Sequence, residues 1–137
     1  MRTERLLLDT NVFLRLLLND HPEHSRRARA LFQRIAAGQV RAATTVAVVM
    51  EIVFIMERAA HMPPERIQEV LWGLLSPDMM EMSDKETVRL ALAWYVQYRT
   101  PFPDALHAAT ANRAGHTKVC SFDRHFDRFP DIERVEP

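Results

Sequence analysis

The stretch Leu6–Leu7–Leu8–Asp9–Thr10–Asn11 constrains this chain more than any other. Three consecutive apolar residues read as a strand buried on both faces, the kind found inside a parallel sheet, and the run stops on a carboxylate. Val12, Phe13, Leu16 and Leu17 then recur at helical spacing, with Thr10 or Asn11 placed to cap that helix by accepting from its free N–H groups. A strand that turns directly into a helix puts Asp9 at the carboxyl end of a central strand, facing the crevice where open α/β sheets bind ligands. A simple helix cap explains Asp9 equally well, so the rest of the chain has to decide.

At 137 residues, 1–137 reads as a single domain with room for a substantial core. Eighteen basic residues balance eighteen acidic ones. That excludes nucleic-acid binding through a global positive field but leaves room for a local basic rim. Lys85 and Lys118 are the only lysines, and arginine suits planar, bidentate phosphate contacts, although a coding bias explains the imbalance as well. Cys120 is the single cysteine, which excludes an internal disulfide or a cysteine-based zinc site; within Val119–Cys120–Ser121–Phe122 it reads as small core filler. The apolar stretch between Asp9 and Arg15 is too short for a bilayer, and no signal-peptide pattern is visible, so the expectation is a soluble, cytoplasmic protein.

Strands and helices alternate along the chain. Helices are expected from Val12, from Pro22 to about Ala37 with Gly38 as the cap, from Thr45 to Ala60, and from Pro64 to about Leu75. Val40–Thr44 and Met79–Met82 are strand candidates between them. Ser83 and Glu86 form a capping-box pattern ahead of a helix that reaches Tyr98. Asp104 to Ala114 is a further helix closed by Gly115, Lys118–Phe122 a strand, Asp123–Phe129 a short helix or turn, and Ile132–Val135 a last strand. This order argues for a parallel, three-layer α/β/α arrangement.

Four acids fall in awkward places. Glu51 lies inside Ala47–Met56, with Thr44, Ala47, Val48, Phe54 and Ile55 on its own face, where a desolvated carboxylate needs a cation or a donor. Asp104 opens a helix after Pro103, where the helix dipole alone would favour it. Asp123 ends the Val119–Phe122 run as Asp9 ends Leu6–Leu8, though aspartate is common in turns. Crowded carboxylates repel, and protonation or a divalent cation relieves the repulsion. Mg²⁺ and Mn²⁺ prefer such ligands, and with metal the group can generate hydroxide for in-line phosphoryl transfer. No strong Ser, Cys or His nucleophile and no zinc spacing competes.

Leu8–Asp9–Thr10–Asn11–Val12, the Glu51 helix, Phe102–Pro103–Asp104–Ala105–Leu106 and Ser121–Phe122–Asp123–Arg124–His125–Phe126 resemble the successive motifs of PIN-domain ribonucleases. In particular they are similar to the VapC-type toxins of toxin–antitoxin pairs. The likeness runs from residue 6 to about 129, with the motifs in family order. It implies a parallel sheet of about five strands, an endoribonuclease dependent on Mg²⁺ or Mn²⁺, an RNA substrate, a homodimer and a cognate antitoxin protein. It makes Asp9, Glu51, Asp104 and Asp123 the metal-binding, catalytic acids. Asn11 matches the polar residue that follows the first acid, and Ser121 keeps the hydroxyl where many members have Thr.

Arg15, Arg124 and Arg128 are candidates for RNA phosphate contacts, and equally ordinary exposed helix residues. His107 reads as a polar residue at a helix edge, Asp127 as surface or as a support behind the acids, and Trp72, Trp94, Tyr95 and Tyr98 as helix packing. A haloacid-dehalogenase-like phosphatase also starts with a strand ending on Asp, but it needs a second Asp where this chain has Asn11. Two other readings keep the same fold: a non-catalytic RNA- or protein-binding module, which would usually have lost an acid, and an RNA-processing nuclease without an antitoxin.

Overall fold

The computed structural model describes residues 3–137. The chain packs as two compact units, one reaching Ser83 and the other spanning Asp84–Pro137. The first contains β1 (Glu4–Leu7), α1 (Thr10–Leu18), α2 (Pro22–Ala36), β2 (Val40–Ala43), α3 (Val46–Arg58) and α4 (Pro64–Leu74). The second contains α5 (Lys85–Gln97), α6 (Phe102–Arg113), β3 (Lys118–Cys120), a short 3₁₀ helix (Arg124–Arg128) and β4 (Glu133–Val135). Among the described residues no helix is long and apolar enough to cross a membrane.

In the first unit β1 and β2 run parallel, from Glu4 opposite Val40 to Leu7 opposite Ala43. Parallel neighbours need a long crossover, and α1 and α2 supply it. The strand expected at Met79–Met82 shrinks to one parallel bridge between Ala43 and Glu81, so β2 is the middle of this unit's sheet. Glu81 is engaged by Arg41, and by Arg5 at 3.5 Å, and these guanidiniums hold its carboxyl below the ordinary range. Three parallel-paired segments here and two in the second unit give five in all among the described residues, one of them a single bridge.

β1 is not buried on both faces as its apolar run suggests. Leu8 is buried, whereas Leu7 is 71% exposed, because successive strand side chains point to opposite faces. The core of this unit is built from helices: Phe13 of α1 meets Phe32 of α2 edge-to-face at 5.5 Å, and Val49, Ile52, Val53 and Met56 of α3 are buried, as are Ile67 and Leu71 of α4. The end of α2 is fixed by its backbone. Gly38 N–H donates to Ile35 and Gln39 N–H to Arg34, both at 3.0 Å, a pattern that requires the left-handed conformation Gly38 adopts at φ 75°.

In the second unit β3 and β4 are parallel, with the 3₁₀ helix in the crossover. Phe129 gathers Trp94 of α5 and Tyr98, the residue that ends it, at 5.4 and 5.7 Å between ring centroids, so these aromatics are packing residues, as their spacing suggested. Ala105, Ala108 and Ala109 of α6 are fully buried where α6 packs on α5. The expected capping box does not form: the cap position falls on Asp84, left-handed at φ 58° and without a side-chain cap bond. Cys120 is exposed rather than core filler.

Gly38→Ala is expected to destabilise the protein by about 1–2 kcal/mol, the cost of a left-handed non-glycine residue. A Cβ at this position would meet nothing within 4 Å, so the loss is conformational and not steric. Urea denaturation should show a lower midpoint at an unchanged slope.

Candidate active site

Asp9 follows β1 and occupies the N-cap of α1, so it does what its bland reading required: its Oδ1 accepts from the Thr10 N–H at 2.7 Å. The cap is Asp9 itself, not Thr10 or Asn11 as the sequence suggested. Leu8 just before it is anchored on both sides, its N–H donating to Ala43 at 2.8 Å and its carbonyl accepting from the Thr44 hydroxyl at 3.1 Å. The carboxylate therefore stands on a fixed strand end.

Thr10 is 5% exposed, and its hydroxyl donates to Glu51 Oε2 at 2.9 Å. One residue thus holds two acids, Asp9 through its amide and Glu51 through its side chain. Glu51 is not desolvated. Ala47, Glu51, Phe54 and Arg58 form an exposed stripe along α3, and the apolar neighbours that made Glu51 look buried are partly on that stripe.

The second unit holds Asp104 and Asp123 together with His125. Asp104 sits in the first turn of α6, behind Pro103, with its side chain 15% exposed. Asp123 caps the 3₁₀ helix, its Oδ1 accepting from the His125 N–H at 2.9 Å, while its own N–H donates to Ser121 Oγ at 2.9 Å. The His125 ring places Nδ1 2.8 Å from Asp123 Oδ1 and 3.1 Å from Asp104 Oδ2. Burial and then the neighbouring Asp123 carboxylate push the Asp104 pKa up, whereas the His125 backbone N–H pulls that of Asp123 down. Two carboxyls with separated protonation behaviour and a nitrogen against both make a donor set that suits a divalent cation.

The PIN domain model matches residues 6–132, across both units. The chain belongs to the PIN-domain family. It is 32% identical over 136 residues to the VapC ribonuclease Mb1869c of Mycobacterium bovis and, to the same extent, to ribonuclease VapC13 of Mycobacterium tuberculosis; each alignment covers 95% of this chain and 98% of the relative. The PIN fold is a three-layer α/β/α fold, the class expected from the order of elements.

Within this PIN-domain chain the remaining candidates have distinct surroundings. The Ser121 hydroxyl accepts from the Asp123 N–H, whereas Asn11 is exposed and lines a groove of about 430 Å³ between α1 and α2, with Arg15, His24 and Arg27. Arg15 pairs with Asp20 at 2.9 Å. Arg128 donates to the Arg99 carbonyl at 2.8 Å, just beyond α5, and Arg124 is exposed. Asp127 pairs with Arg134 at the surface. Two residues escaped the sequence reading. Thr10 was seen only as a possible cap, although a hydroxyl directly after a strand-end acid is a visible signal. His125 was read only as part of a motif, although its position two residues after Asp123 puts a nitrogen within reach of a turn-capping carboxylate.

Cation binding requires ionised carboxylates, and the Asp104 pKa lies above the ordinary aspartate value. Acidification should therefore weaken Mn²⁺ binding at a higher pH than for an unperturbed aspartate, and affinity should rise with pH until Asp104 is fully ionised. Calorimetric titration across the acid range checks this; Asp104→Asn should bind more weakly and lose that part of the pH dependence.

Proposed function

We propose that this chain is a metal-dependent endoribonuclease, the toxin of a VapBC-type toxin–antitoxin pair, acting in the cytoplasm as a homodimer. What supports the proposal is that Asp9, Glu51, Asp104 and Asp123 stand in four stretches resembling the PIN motifs in their order, in a chain similar over nearly its whole length to two proteins named as ribonucleases. A non-catalytic module would usually have lost at least one of these acids, whereas this chain has all four. In this reading 1–137 is one PIN domain, and Asp9, Glu51, Asp104 and Asp123 act on a single phosphodiester.

The four acids supply hard oxygen donors, and Mg²⁺ or Mn²⁺ is the ion they suit. When bound, such an ion supplies an activated water and stabilises charge on the transferred phosphoryl group. Asp9 and Glu51 are ligands whose aim is set by Thr10. Asp104 and Asp123 are ligands whose charge is balanced between them, with Ser121 fixing the turn that carries Asp123. Asn11 orients a water or the Asp9 carboxylate. Arg15 and Arg124 hold RNA phosphates, an assignment supported for Arg124 by its exposure and for the half-buried Arg15 by the basic groove it shares with His24 and Arg27. Arg128, which donates through Nη1 to the Arg99 carbonyl, is a further candidate beside them. The cognate antitoxin would neutralise the enzyme by covering the same acids.

Purified protein free of antitoxin should cut total RNA into discrete fragments with Mg²⁺ or Mn²⁺ and not with EDTA. Asp9→Asn should lower the rate by at least about a hundredfold, the scale of losing a group that acts in the transition state. Cutting that persists in Asp9→Asn would contradict the assignment, and a well-folded wild type that cuts no RNA with any divalent cation would overturn the nuclease reading.

A further inference from the structure

Resting on that reading, we infer that His125 is a nitrogen ligand of the catalytic cation and that it tilts this enzyme toward Mn²⁺ and away from Mg²⁺. The geometry points to the ring nitrogen itself. Nδ1 of His125 approaches one oxygen of each acid, Asp123 Oδ1 at 2.8 Å and Asp104 Oδ2 at 3.1 Å, and all three atoms lie within 4.8 Å of one another. Adjacent ligands of an octahedral ion with bonds of about 2.1 Å are spaced at about 3.0 Å. The two nitrogen–oxygen separations have this spacing, so one cation can touch both acids and the imidazole without rebuilding the turn.

The turn also fixes the ring's position. The Asp123 carboxylate accepts from the His125 backbone N–H at 2.9 Å, Asp123 is in turn held by Ser121, and Phe126 next to His125 is buried. The main-chain bond fixes where the His125 Cα stands relative to Asp123, and the ring reaches both acids from there. In the loaded site the Nδ1 lone pair faces the cation and the ring proton resides on Nε2. Mn²⁺, like Mg²⁺, takes oxygen ligands readily, but as a transition ion it also binds an imidazole nitrogen, which Mg²⁺ does much less, so a nitrogen at this position favours Mn²⁺ over Mg²⁺. His107 is exposed on α6 and is given no part in this site.

The test is electron spin-echo spectroscopy of the full-length protein loaded with Mn²⁺, together with Mn²⁺ and Mg²⁺ titrations by calorimetry. The expected result is nitrogen modulation from a directly bound imidazole in the wild type. In His125→Ala and His125→Asn, the carboxylates still bind Mn²⁺ but the modulation is gone. Mn²⁺ affinity should fall by about tenfold or more, the scale of losing one partner of a metal centre, while Mg²⁺ affinity changes much less. His125→Asn keeps a polar side chain beside the acids and guards against a loss due only to a disturbed turn. Bound Mn²⁺ without nitrogen modulation, modulation that survives in both variants, or an unchanged Mn²⁺/Mg²⁺ preference would each overturn the inference. If those results came with RNA cleavage that still needs metal and Asp9, only the role of His125 would fall. A wild type that binds neither ion would overturn both this inference and the metal-dependent reading beneath it.

Discussion

Crowded carboxylates repel one another, and within each of the two units the acids are met by donors that offset this. Each acid here is held by a donor that steadies it without neutralising it. Thr10 gives its amide to Asp9 and its hydroxyl to Glu51. The His125 amide holds Asp123, and the His125 ring meets both Asp123 and Asp104. Hydrogen bonds to a charged acceptor are worth about 1.5–3 kcal/mol when sheltered, and less where water competes, as at Glu51. Their role here is to set direction more than to add stability.

The same local device is used twice. A short parallel strand ends, the chain turns, and an aspartate at the turn caps the helix that follows: Asp9 after β1 and Asp123 after β3. Placing an acid at a helix start offsets part of its charge with the free N–H groups there. Asp104 is treated differently. It lies in the first turn of α6, more buried than Asp123, and it is the member of the pair that keeps its proton longer. The proposed chemistry therefore begins from a pair whose two halves titrate apart.

Most of this order was legible in the residues. Apolar runs ending on Asp marked both strand ends, and helical periodicity placed the helices to within two or three residues, because burial of one face dictates both patterns. What failed was the inference from neighbours to environment. Glu51 looked desolvated because Phe54 is large and apolar, yet Phe54 is itself 55% exposed on the same stripe of α3. Cys120 looked buried for a similar reason, and β1 looked two-sided although Leu7 turns outward. Sequence periodicity ranks faces by polarity and cannot register an apolar residue left on the surface. The pairing of Thr10 with Glu51 was invisible as well, because it joins positions 41 apart and depends on how α1 packs against α3.

The central claim is that water, activated beside these carboxylates, attacks the RNA phosphate. Cleavage of a defined RNA in ¹⁸O-labelled water tests it most directly, with the fragments weighed by mass spectrometry. The expected result is one labelled oxygen on a 5′-phosphate and an unlabelled 3′-hydroxyl on the other fragment. An unlabelled 2′,3′-cyclic phosphate beside a 5′-hydroxyl would mean that the ribose 2′-hydroxyl was the nucleophile, and it would contradict the role given to the four acids.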